Sequence, residues 1–166
     1  TTYHLVEDSI LKGLNNASGD TINISFENDE IERLQIFGGG RGSFIPDKKN
    51  NEIDSTIIYN GEFIDYIVKE KKTFLKNNAN VLYQKTILSS DIITADWNTN
   101  LLEVFKSNDN IPTVDTNDGE PLSGDYMEFD LISKQGRIKK GKTNYNNSVY
   151  YGKEIYRNDN NVFHVH

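Results

Sequence analysis

Residues Thr21-Ile22-Asn23-Ile24-Ser25-Phe26 alternate polar and apolar without a fault, and the same period returns at Ile31–Phe37, Asp91–Trp97 and Tyr126–Ile132. A period of two puts every second side chain on one face of an extended strand, whereas an amphipathic helix repeats every 3.6 residues. Ile22, Ile24 and Phe26 therefore share a face, as do Leu34 and Ile36, then Ile93, Ala95 and Trp97, then Met127, Phe129 and Leu131. The runs are short and are separated by Asn and Gly at Asn28-Asp29, Gly38 to Gly42, Asn60-Gly61, Asn77-Asn78 and Asn98-Thr99-Asn100. Asn favours turns and tolerates positive φ, while Ala, the best helix former, is nearly absent. The pattern predicts an all-β, antiparallel fold, with one wet and one dry face per strand.

The breaks divide the chain into strands spaced at intervals of ~8–12 residues, as in a sandwich, a barrel or a solenoid-like stack. Ser55–Tyr59 and Glu62–Val68 flank Asn60-Gly61 as a hairpin, and Thr73–Leu75 and Ala79–Gln84 flank a turn at Asn77-Asn78. Lys69 to Lys72 reads as a turn or an exposed edge. Residues 1–19 form a lead-in segment, of which Thr1 to Leu14 is the best helix candidate, through Leu5, Ile10, Leu11 and Leu14. Residues 20–166 form the β domain, with a polar loop at 107–124 that holds Pro112, Pro121 and Gly119.

At 166 residues the chain suits one domain with a real core. Its 18 Lys and Arg stand against 25 Asp and Glu, a net charge of −7 that argues against a nucleic-acid partner. No apolar run approaches the ~18 residues of a membrane-spanning helix. There is no Cys, and only three His, at positions 4, 164 and 166, so thiolate and most metal chemistry are improbable.

Each motif that could carry chemistry has a plainer explanation. Gly38 to Gly42 lacks the Gly-Lys-Ser/Thr of a phosphate loop and reads as a bulge or tight corner. Asp115 to Glu120 resembles a calcium loop, but Val114 stands where an acidic ligand is needed. His164 and His166 share one side of a strand, about 7 Å apart, and a zinc site would need a third ligand. Nothing pairs two carboxylates for glycoside hydrolysis, and no Gly-x-Ser-x-Gly segment exists. The single tryptophan, Trp97, falls on the dry side of its strand. No enzyme, cofactor or metal site is expected.

Three stretches together resemble a known family. They are Thr21 to Gly39; Phe74-Leu75-Lys76-Asn77-Asn78-Ala79-Asn80-Val81-Leu82-Tyr83 followed by Leu88 to Asp96; and Gly136 to Gly141 with Tyr150 to Ile155. The middle one looks like the L-x-G-N-A-x-V-x-Y … L-x-A-D-x-I signature of the OstA-like lipopolysaccharide-transport domains, the periplasmic bridge protein LptA and the N-terminal periplasmic part of LptD. The third resembles the end of the LptD-type domain. Asn78 stands where the family has Gly or Asn, and Ser90 replaces the usual Ala.

The resemblance implies an antiparallel β-jellyroll folded like a taco, with an apolar interior slot. Acyl chains of lipopolysaccharide or a similar lipid would ride in that slot, and neighbouring jellyrolls would join by edge-strand pairing. It also implies a periplasmic location, with attachment to the outer membrane through a barrel outside this stretch, and a chain that is a piece of a longer protein. LptD-type proteins commonly carry disulfides, which this stretch lacks. The slot-facing residues expected are Ile22, Ile24, Phe26, Leu34, Ile36, Val81, Tyr83, Ile93, Met127, Phe129 and Leu131. A closed core has the same alternation. A carbohydrate- or calcium-binding β-sandwich of the cell envelope, or a structural β domain, stands as the alternative.

Overall fold

Several strands run on through the positions where the sequence marks a break. In the computed structural model, which describes residues 1–7, 9–107, 110–117, 120–145, 148–158 and 163–166, the chain forms fourteen strands, β1 to β14. They are β1 (Thr2–Glu7), β2 (Ile10–Ser18), β3 (Thr21–Glu27), β4 (Glu30–Pro46), β5 (Ile57–Ile67), β6 (Lys72–Tyr83) and β7 (Thr86–Asp96). There follow β8 (Leu101–Phe105), β9 (Thr113–Asp115), β10 (Leu122–Ser123), β11 (Tyr126–Asp130), β12 (Gly136–Tyr145), β13 (Ser148–Arg157) and β14 (Phe163–Val165).

Strand β4 carries the Gly38–Gly42 run inside it, β5 carries Asn60-Gly61, and β6 carries Asn77-Asn78. At each of these places the ladder slips: between Phe37 and Gly40, between Asn60 and Phe63, and between Lys76 and Ala79. Gly38, Gly39, Asn77 and Asn78 all have positive φ, between 52 and 75°. A local left-handed kink bends a strand without ending it. The predicted hairpin at Asn60-Gly61 and turn at Asn77-Asn78 are therefore bends. The predicted corner at Gly38–Gly42 lies within one strand.

The bends share a line, and they crease the sheet into two layers. One layer follows the order β3, first half of β4, second half of β5, first half of β6, second half of β7, β8, β11, first half of β12, second half of β13, β14. The other follows β1, β2, second half of β4, first half of β5, second half of β6, first half of β7, β9, β10, second half of β12, first half of β13. Every pairing is antiparallel, as in a jellyroll.

Small residues mark the crease. Gly40 pairs with Gly61, Ala79 with Ser90, and Gly141 with Gly152. A Cβ on Gly40 would lie 2.8 Å from Ile64 Cδ1, and one on Gly141 would lie 2.3 Å from Ile155 Cδ1. The isoleucine of the next strand thus fills the space that a side chain would need, which lets the two layers close on each other.

Three further expectations are corrected. The described residues of the Thr1–Leu14 stretch are not helical but lie in the paired strands β1 and β2, where Tyr3 pairs with Asn15 and Leu5 with Gly13. Strand pairing to β4 outweighs the local helical spacing of its leucines. The loop at 107–124 contains two short strands, β9 and β10, which fill the second layer between β7 and β12. Lys69 to Lys71 do form a turn, but Lys72 begins the interior strand β6, so these charges guard no sheet edge.

Candidate functional site

The two inner faces meet in one apolar core. From the creased strands come Leu34, Ile36, Ile64, Leu75, Val81, Tyr83, Leu88 and Ile93, from β8 and β11 come Leu102, Val104, Met127 and Phe129, and from β12 and β13 come Ile138 and Ile155. The layers touch directly: Phe44 and Trp97 lie 5.6 Å apart, Tyr83 and Phe129 lie 6.2 Å apart, and Tyr3 stacks on Tyr66 at 6.0 Å. A cavity of about 20 Å³ remains between Leu88, Val114, Met127, Phe129 and Ile138, little more than one water. The slot is closed on itself along this stretch by its own side chains.

Of the expected slot residues, Leu34, Ile36, Val81, Tyr83, Ile93, Met127, Phe129 and Leu131 are buried in this core. Ile22 and Ile24 pair with Ile36 and Leu34, which sets them on the same inner face. They belong to the edge strand β3, with no further strand beyond, so Ile22 is half-buried and Ile24 exposed. Phe26 departs more. The ladder slips between Ser25 and Phe26, and the ring stands 64% exposed at the end of the strand. The sequence reading missed Tyr3, Tyr59, Ile64, Tyr66, Leu102 and Val104. Ile64 with Tyr66, and Leu102 with Val104, carry the same period of two and were legible in principle. Ile53, 2% exposed, comes from the loop between β4 and β5, and no periodicity marks it.

Opposite the crease lies the mouth of the V, lined by turns from both layers. Here a cleft of about 370 Å³ opens, within the ~300–1,000 Å³ range of small-molecule sites. Its depth is apolar: Leu5, Phe44, Ile53, Tyr66 and Trp97. Its rim is polar: Lys12, Asn50, Asn51, Glu52, Lys71, Asn98 and Asn100. Trp97 is fixed by an indole N–H donated to Thr73 Oγ1 at 2.9 Å. Beneath it, Tyr3, Leu5, Asn15, Phe44, Tyr66 and Trp97 surround a smaller cavity of about 10 Å³.

Polar groups enter this dry end in an ordered way. Tyr59 donates to Asn15 Oδ1 at 2.6 Å, and Asn15 Nδ2 donates to the Tyr3 oxygen at 2.7 Å. Burial pushes the Tyr59 phenol up to about 12 and raises those of Tyr3 and Tyr66, so all three keep their protons at neutral pH.

Further along, the mouth is latched. Asp54, in the β4–β5 loop, accepts from Lys134 Nζ at 2.6 Å and from the Tyr83 hydroxyl at 2.7 Å. Arg157 of β13 donates to Thr86 of β7 at 3.0 Å, a second bridge between the layers.

His4 on β1 and His164 on β14 lie at opposite ends of the stack, so the three histidines do not converge. Asp115 accepts the backbone N–H of Asn117 at 2.8 Å, while Asp118 and Gly119 of the calcium-loop candidate lie outside the described residues. Among the described residues, no group of three His, Asp or Glu side chains converges in a metal-binding arrangement.

The chain is thus an all-β antiparallel jellyroll, a creased sheet with an apolar inner face. No family model matches the chain, and no curated protein does. A solved structure that it resembles is that of LptH from Pseudomonas aeruginosa, described as the LptA homologous periplasmic component of the conserved lipopolysaccharide transport device. The TM-score is 0.53 at 11% sequence identity, covering 69% of this chain and 84% of LptH. The likeness is one of fold. Among the described residues, no helix is long and apolar enough to cross a membrane.

Proposed function

We propose that this chain is a non-enzymatic lipid-conduit module of the periplasm, an OstA-like domain of the LptA or LptD type. It takes acyl chains of lipopolysaccharide or a similar lipid between its layers and passes them toward the outer membrane. One observation carries the reading: the inner apolar face is continuous across the strand order, and at the β1/β3 end Leu5 and Ile22 are only half-buried against the core while Ile24 is exposed. Nine inter-strand spacings of ~4.8 Å make that face roughly 40 Å long. Apolar contact at ~25 cal/mol per Å² is enough to hold a chain there, and no reacting group is needed. The fold shared with LptH supports the same reading.

Ile22, Ile24, Leu34, Ile36, Val81, Tyr83, Ile93, Met127, Phe129 and Leu131 are the residues assigned to line the path. The interior is packed, so a chain enters as the layers part at the mouth. The free edges of β1 and β3, with exposed Val6 and Phe26, and of β13 and β14, with exposed Tyr151 and Val165, would pair with other jellyrolls of the transport line.

Photo-crosslinking tests this. A photoreactive side chain at Leu34 or Phe129 is expected to capture lipopolysaccharide, while one at the outward-facing Ile58 or Lys76 captures none. Equal capture from inner and outer positions, or none from the inner ones, overturns the reading.

A further inference from the structure

Ile53 reaches the core from a loop rather than from a strand. It is buried in the core and lines the mouth cleft together with Phe44, Tyr66 and Trp97. The β4–β5 loop that carries it is fixed unevenly. Its first part is tied to β2 in its own layer: the Lys12 carbonyl accepts the Asp47 N–H and the Asn51 side-chain amide, both at 2.9 Å. Lys12 Nζ also donates to the Asn50 carbonyl at 3.2 Å. Beyond Asn51, the Ile53 N–H is held within the loop by Asn51 Oδ1 at 2.9 Å. Asp54 takes Tyr83 and Gln84 of its own layer, and reaches across the mouth to Lys134 at 2.6 Å.

These contacts are of a kind that can be exchanged. The ion pair to Lys134 is solvent-exposed on both sides, which makes it weak. The apolar contact of Ile53 is non-directional, so another apolar group in the same space replaces it. Strand β4 ends at Pro46 and β5 begins at Ile57, so residues 52–56 can swing out without breaking a strand ladder. The space that Ile53 leaves would then join the cleft of about 370 Å³ at the mouth.

We propose that residues 52–56 are a built-in plug. Ile53 holds the place between the layers that an apolar chain takes, the Asp54–Lys134 pair latches it, and the segment swings out to admit the chain. The anchoring of Asp47 to Asn51 on Lys12 leaves the first part of the loop in place as it moves. This rests on the reading of a lipid path between the layers and adds to it the device that opens the path. Affinity for an apolar ligand is then scaled by the fraction of chains with the plug open.

The chain has no cysteine, so Asp54→Cys with Lys134→Cys can be joined by a cleavable bismaleimide and released again. The probe is N-phenyl-1-naphthylamine, which brightens in apolar surroundings, and its uptake is followed by energy transfer from Trp97, the one tryptophan, which lines the cleft. Closing the crosslink should slow uptake at least about tenfold, and cutting it should restore the rate. In the chain without the crosslink, Ile53→Ala should raise the affinity about tenfold by removing most of the plug's apolar contact. Lys134→Met, which leaves Tyr83 on Asp54, should raise it about threefold. Equal uptake by the closed and cut forms, or no gain from Ile53→Ala, overturns the plug and leaves the path itself standing. No uptake by any form, Ile53→Ala included, overturns the path between the layers, and the plug falls with it.

Discussion

Asp54 and Lys134, 80 residues apart in sequence, are joined by a 2.6 Å ion pair that crosses the mouth between the two layers of the jellyroll. Asp54 also takes the hydroxyl of buried Tyr83, and the adjoining Ile53 plugs the core from the same loop. The loop thus acts as a strap over the seam through which a chain would enter.

The strap makes stability depend on acid. Lys134, then Tyr83, hold the Asp54 carboxyl well below the usual carboxylate range. A lowered folded-state value means stabilisation that is fully present above the ordinary pKa of ~4 and is lost as pH falls toward the depressed value. Asp54 and Lys134 are both substantially solvent-exposed, so the pair contributes no more than about 1 kcal/mol. Asp54→Asn should lower Tm by ~2–4 °C at pH 7, and the gap should shrink by pH ~2.5. Thermal unfolding at both values checks this, and a constant gap would rule out the ion pair as its source.

The crease gives a second expectation. Gly141→Ala puts a methyl 2.3 Å from Ile155 Cδ1, and forced overpacking of this kind costs ~1–3 kcal/mol. Ile155→Val removes the nearer of the two clashing carbons. In denaturant unfolding the double variant should lose less than the sum of the single ones, whereas strict additivity would place the cost elsewhere.

Asn77 and Asn78 hold φ of 58 and 52° inside β6. Asn78→Gly should be neutral to within about 0.5 kcal/mol, and Asn78→Val should cost ~1–2 kcal/mol because a branched side chain resists that region. Paired unfolding curves decide between them. Equal effects would mean that the bend does not depend on the left-handed conformation.

The free edges predict association. Exposed Ile24 and Tyr151 lie on strands at opposite ends of the stack. Sedimentation velocity should show concentration-dependent growth, weakened about tenfold by Ile24→Lys or by Tyr151→Lys. A chain that stays monomeric at high concentration would exclude edge pairing between its own copies.

Much of the inner face was legible in sequence because a strand's period of two is set by backbone geometry alone. Leu34 with Ile36 and Met127 with Phe129 needed nothing else. Ile22, Ile24 and Phe26 carry the same alternation, yet their burial depends on being at the end of a sheet and on a one-residue slip in the ladder. Ile53 and Asp54 were invisible, because their partners lie in the core and on Lys134, far along the chain.

The sequence by itself determined that this protein is built of antiparallel strands with one dry face, and that Asn and Gly interrupt them. Only the tertiary structure decided what each interruption does. Asn28-Asp29 and Asn98-Thr99-Asn100 turn the chain back, while Asn77-Asn78 only bends it. All use residues tolerant of positive φ, so the local signal is the same. The difference lies in whether the neighbouring strands continue past the kink and hold both halves in their ladders. That pairing is a long-range property, and it turns a list of short strands into a creased slot.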